Sequence, residues 1–137
     1  MIEAIAVLLL LGILSTVIIS SYSSIESNTL VAEEASLKGH LRFAQLRAMN
    51  DQVSWGIGLG ANAYTLLRNG APAPSDLPGE GSGTHNLPGG VSITLGAGTT
   101  VTFDQWGSPG PANRTITLSS GLNSRTIPIT GNTGFIP

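Results

Sequence analysis

The segment Ile2–Ile19 constrains this chain more than any other part of it. It is almost wholly apolar, interrupted by Glu3, Gly12, Ser15 and Thr16. As a helix it spans roughly 27 Å, about the thickness of a bilayer core. Such a segment must be given lipid or the apolar surfaces of other molecules. A cleaved secretory signal would carry basic residues before the run and a small-residue cleavage site after it. Here no basic residue occurs before Lys38, an acid stands at position 3, and the sequence after the run stays helix-like. The segment reads as a retained hydrophobic helix.

Glu3 adds a second constraint. An ionised carboxylate at the rim of an apolar segment is costly unless it is paired or stays wet in the headgroup layer. The only cation available nearby is an α-amino group. A chain's own amine is poorly placed to lie back on its helix, whereas a neighbouring copy's amine can reach it. This points to staggered, side-by-side packing of copies.

The stretch Met1-Ile2-Glu3-Ala4-Ile5-Ala6-Val7-Leu8-Leu9-Leu10-Leu11-Gly12-Ile13-Leu14 resembles the N-terminal signature of type IV pilins and type II secretion pseudopilins. Matching Ile2-Glu3 to that family's Ile-Glu pair leaves the chain two residues short of the usual opening. It therefore resembles a mature subunit without its leader and first two residues. The resemblance implies a methylated N-terminus, a prepilin peptidase and pilus assembly machinery as partners, and residence in the inner membrane before assembly. It also implies a homo-oligomer, a helical filament at the bacterial surface. Met1, Glu3, Leu8, Leu11, Gly12 and Leu14 are the assembly residues this reading singles out.

Residues 23–52 continue as an amphipathic helix. Leu30, Leu37, Leu41, Ala44 and Ala48 fall on one stripe of a 3.6-residue period. Glu34 and Lys38 form a favourably ordered i,i+4 pair. Glu33, Glu34, Lys38, Arg42 and Arg47, with His40 among them, read as a solvated or inter-subunit face. Phe43, Leu46 and Met49 form a second apolar strip, expected to lie under a sheet. Leu41–Ala48 is similar to the helix end of H-type minor pseudopilins and FimT-like pilins. Between the two helical parts, Ser15–Ser21 combines β-branched residues with hydroxyls that offer the backbone other partners. The helix is expected to lose regularity between about Ile13 and Ser21 on assembly.

Residues 53–137 change character: they hold sixteen of the eighteen Gly and all eight Pro. The division is thus 1–22 for the membrane or filament-core helix, 23–52 for the rest of the helix, and 53–137 for a β-rich domain. Val53–Gly60 and Ala63–Arg68 read as a hairpin, and 69–90 as a long surface loop. Val91–Leu95 and Thr99–Phe103 alternate around Gly96-Ala97-Gly98. Arg114–Leu118 and Ser124–Ile129 form a further pair. The expected fold is α+β, a long helix packed on one antiparallel sheet. Phe103–Pro109 resembles a turn motif of the same pseudopilin subfamily, and Thr133–Ile136 resembles its last strand.

No catalytic constellation and no cofactor motif appears. Asp76, Glu80 and His85 share the loop and read as solvated rather than as metal ligands. Asp104 lacks a second carboxylate at useful spacing. Gly56, Gly58 and Gly60 alternate within a strand and open no helix, against phosphate binding. Asn113-Arg114-Thr115 is a glycosylation sequon, and clustered Ser and Thr leave O-glycosylation open. With six Lys and Arg against eight Asp and Glu, the chain lacks the basic face of a nucleic-acid binder. Tyr22, Phe43 and Trp55 are too far apart for a conductive aromatic stack. The leading expectation is a structural filament subunit, a major pilin. The alternative is a minor pseudopilin of a type II secretion or DNA-uptake pseudopilus.

Overall fold

The computed structural model describes the backbone of all 137 residues and the side chains of all except 19–24. One helix, α1 (Ile2–Asp51), runs unbroken and ends at Gln52, whose φ of 54° closes it in the left-handed conformation. Within it, the Ser15 hydroxyl donates to Leu11 O at 2.6 Å and the Thr16 hydroxyl to Ile13 O at 2.7 Å. In the single chain these hydroxyls back-bond to their own helix. The other two hydroxyls of the weak stretch, Ser20 and Ser21, lie outside the described side chains, as does the expected 22/23 boundary.

The second half of α1 lies against two antiparallel sheets. The first contains β1 (Trp55–Leu59), β2 (Ala63–Arg68), β3 (Ala71–Pro72), β4 (Thr84–Asn86) and β6 (Thr100–Phe103), in the order β3-β2-β1-β6 with β4 also on β2. The second contains β5 (Val91–Leu95), β7 (Arg114–Ser120) and β8 (Asn123–Ile129), in the order β5-β7-β8. The α+β expectation holds. The single sheet does not. β5 and β6 do not pair with each other: β5 joins β7, and β6 joins β1 in register Trp55↔Phe103. Gly96 and Gly98, at φ 94° and 77°, turn the chain from one sheet to the other. A short glycine link serves a hairpin or a crossover equally, so local sequence could not separate the two.

Both β1–β2 and β7–β8 are hairpins as expected, the latter running closer to its turn at Gly121-Leu122. The 69–90 segment is not a plain loop. Leu77 and Leu87 are buried in the core, and β4 pairs with β2, where the Thr65 and Thr84 hydroxyls lie 2.9 Å apart. The Thr133–Ile136 end is not a strand. It turns through Asn132 and Gly134, both at positive φ, and buries Ile136. β8 is an outer strand whose penultimate residue, Pro128, stands opposite Thr115.

The core forms where the stripe predicts. Leu30, Leu37, Leu41, Ala44 and Ala48 are buried against Ile57, Phe103, Ile116, Leu118 and Ile127. Small Ala44 and Ala48 let the helix approach the sheets closely. The second strip fails: Leu46 is 64% and Met49 49% exposed, and only Phe43 packs partly on the core. Leu46 lies about 200° around the helix from Ala44, so it cannot share that face. At β1 the sheets tolerate no bulk, because a Cβ on Gly56 would run into the backbone carbonyl of Val101.

Candidate assembly surface

Residues 1–18 are exposed throughout. Met1, Glu3, Leu8, Leu11, Gly12 and Leu14 are all exposed, and nothing lies within 4 Å of where a Cβ on Gly12 would stand. Leu8, Leu11 and Leu14 step about 60° apart around the helix, covering roughly 120° of its surface. The segment is apolar all round, as only buried or lipid-facing helices are. Glu3 sits in the first turn, where the exposed amides of the helix N-terminus favour an acid. Among the described residues it makes no ion pair within its own chain. The described apolar run stops at Ile18. Among the described residues no helix is long and apolar enough to cross a membrane, and the 1–22 span predicted from sequence reaches beyond those residues.

Much of the charged face, expected to be solvated or inter-subunit, is engaged within its own chain. Glu34 accepts from Lys38 at 2.9 Å and from Arg125 of β8 at 2.6 Å. These cations hold its carboxyl below the ordinary range: the Lys38 contact acts most strongly, partial burial opposes it, and Arg125 adds to it. Arg42 donates to Ile136 O at 3.0 Å, tying the helix to the C-terminal tail. The Gln45 amide donates to Gly107 O at 2.8 Å and Gly134 O at 3.1 Å, so one side chain holds two separate turns. Arg47 reaches Asp51 at 3.4 Å and lies over the buried Trp55 ring, 4.8 Å from its centroid.

Both histidines depart from their expected settings. His40 is only 6% exposed. The Pro78 carbonyl, 3.0 Å from Nε2, can only accept, so Nε2 donates to it; in the neutral ring Nδ1 then accepts from the Tyr64 hydroxyl at 2.8 Å. His85 bridges two carboxylates, Glu80 at 2.5 Å through Nδ1 and Glu33 of α1 at 2.8 Å through Nε2. Its ring stacks on Tyr64 with centroids 4.9 Å apart. Burial works against a charged His85, yet Glu33 and Glu80 outweigh it and raise its pKa above the ordinary value. Burial first, then the same two carboxylates, push the Tyr64 phenol up as well. The exposed Asp76 takes no part in this network.

This cluster clamps 69–90 to the helix. Each His85 nitrogen faces its own carboxylate on opposite sides of the ring, which leaves no common point for an ion. Among the described residues no group is arranged to hold a metal. Asp104 caps its own turn, accepting from the Trp106 and Ser108 amides at 2.9 Å each. Asn113 is exposed, and its side-chain oxygen accepts from Gly131 N at 2.8 Å. Gly56 and Gly58 lie in β1, as their alternation predicts, and Gly60 opens the β1–β2 turn.

A family model described as type II transport protein GspH matches residues 35–134. No curated protein matches the chain. Among solved structures, the Pseudomonas aeruginosa (strain PAO1) type IV minor pilin FimU, in its P21 crystal form, is 18% identical with a TM-score of 0.61. That alignment covers 82% of this chain and 89% of FimU. The P65 form of the same protein gives a TM-score of 0.55 at 18% identity, over 77% of this chain and 90% of that one. At such identity the likeness is one of fold. The family match spans most of the chain and agrees with the N-terminal signature, the unpartnered helix and the helix-on-sheets architecture: this chain belongs to the GspH family of type II transport pseudopilins, within the pilin and pseudopilin group.

Proposed function

We propose that this chain is a structural subunit of a type IV pilus-like extracellular filament and polymerises through its hydrophobic N-terminal helix. The observation that carries this is the exposure of residues 1–18 on every side, with Glu3 in no ion pair among the described residues. Exposed apolar surface of that extent needs a permanent partner. The inner membrane supplies it before assembly, and the helices of other subunits supply it afterwards. Prepilin peptidase and the assembly machinery act between the two states. The same surface serves twice.

A second reading places the chain as a minor pseudopilin, at a tip or in a type II secretion or DNA-uptake pseudopilus. The GspH family match and the FimU-like fold support this reading and the first alike. DNA capture gains no support from the domain's arginines. Arg125 is held by Glu34, Arg68 lies near the Trp55 ring, and Arg114 donates to Thr100 O. Immunogold labelling of purified filaments tests both readings. Continuous labelling is expected of a major subunit and sparse or terminal labelling of a minor one. Filaments never labelled, and unchanged by deletion of the gene, would overturn both.

A further inference from the structure

The turn between β7 and β8 stands against the helix at one definite height. A Cβ on Gly121 would lie 3.2 Å from Glu26 Oε2, which fixes the hairpin tip at the level of Glu26 on α1. At the tip, Leu122 is 106% exposed, and Ile25, beside Glu26 on the helix, is 62% exposed. Neither side chain serves the core. A shallow crevice of about 190 Å³ separates the helix from the sheet here, lined by Ile25, Glu26, Thr29, Gly89, Val91 and Ser120.

That height is informative. Along the unbroken helix, Glu3 and Glu26 are separated by about 34 Å. A bilayer's hydrocarbon core is about 30 Å thick, and about 40–45 Å with its headgroup layers. With Glu3 at one rim of the core, Glu26 and the hairpin tip stand just past the opposite rim, in the headgroup layer. The chemistry of this end suits that place. Among the described residues Glu26 is the one charged side chain lining the crevice, and the tip continues into uncharged, exposed Asn123 and Ser124. The nearest charged groups farther up, Glu33, Glu34 and Arg125, are occupied by His85 and by one another.

We propose that the β7–β8 hairpin tip, through Leu122 together with Ile25, docks into the lipid headgroup layer of the membrane that holds α1 and sets the domain's orientation there. The inference rests on the membrane-anchored reading above. Two contacts on one plane, helix and hairpin, hold the domain at a fixed rotation about the helix axis. The contact is apolar, so it requires no anionic lipid.

The chain contains no Cys, so a single introduced cysteine accepts an environment-sensitive fluorophore at one known place. The full chain carrying L122C, and separately I25C, is labelled and reconstituted in phosphatidylcholine vesicles containing headgroup-nitroxide or mid-chain brominated lipid. Expected are a blue-shifted emission and several-fold stronger quenching by the headgroup nitroxide than for W106C, at the far turn. Raising the salt should leave that quenching unchanged. A chain that fails to float with the vesicles would overturn the anchored reading, and this inference with it. A chain that floats while both labels emit as in water overturns the docking alone, as does docking released by salt.

Discussion

His85 Nε2 lies 2.8 Å from Glu33 Oε2 across 52 residues of sequence, and this contact closes the 69–90 segment onto the helix. A protonated ring donates to Glu33 and Glu80 together, which a neutral ring cannot do. The folded state thus binds the His85 proton more tightly than the unfolded chain. Its stabilisation is complete below about pH 6.5, the ordinary histidine value, and is lost as pH rises through the raised folded value. H85Q is expected to cost about 1–2 kcal/mol near pH 6, with the gap to wild type narrowing in mildly alkaline solution. Urea melts at the two pH values measure it. A gap independent of pH would show that folding leaves the proton affinity of His85 unchanged.

Glu3 is expected to pair with the N-terminal amine of a neighbouring subunit in the filament core. E3A should leave the domain folded and membrane-bound while filament number falls by more than about tenfold, since about 1.4 kcal/mol per contact already gives that factor. Counting filaments by electron microscopy decides it. Wild-type yield from E3A would remove the pairing.

A chain beginning near Ser23 is expected to fold as a monomer, because Leu30, Leu37 and Leu41 close the core and no described residue of the first apolar segment joins it. Circular dichroism should show helix and sheet with one cooperative melt. A random-coil spectrum would mean that the first segment is needed for folding.

On assembly, the helix is expected to lose regularity between about Ile13 and Ser21. In lipid every backbone group must be satisfied within the helix. In a filament, neighbouring helices and hydroxyls such as those of Ser15 and Thr16 take over some bonds, and an extended residue rises about 3.3 Å in place of 1.5 Å. A filament map with unbroken i→i−4 bonds from Ala4 to Asn50 would refute this.

What the sequence made legible follows from the range of each signal. The Leu30–Ala48 stripe and the two hairpins are short-range patterns, and they appear where periodicity and turn residues put them. The division of β5 and β6 between two sheets depends on which open edge each strand meets, and the same Gly96–Gly98 link allows either outcome. His85 and Glu33 meet only through the tertiary fold, so neither residue announced the clamp. A signal for the ordered 69–90 segment was present, since Leu77, Leu87 and the Thr84-His85-Asn86 run are not what a solvated loop requires. The expectation for Glu3 rests on a cost that is local, and the pairing it calls for lies between copies. Leu46 and Met49 misled because apolar character was given more weight than angular position on the helix.

Pro128 in the outer strand β8 bears on how copies of this molecule can join. A sheet grows from one molecule into the next along an uninterrupted row of free amides. Proline has no amide hydrogen, and Arg125 on the same strand is turned back to Glu34. Edge-to-edge fusion into a shared sheet is thereby disfavoured at this edge. In the filament proposed above, association would then rest on side-chain packing between helices, which no continuous backbone ladder locks. A polymer held in this way can be taken apart one subunit at a time and its subunits returned to lipid intact, a reversibility that a cross-β fibre does not have.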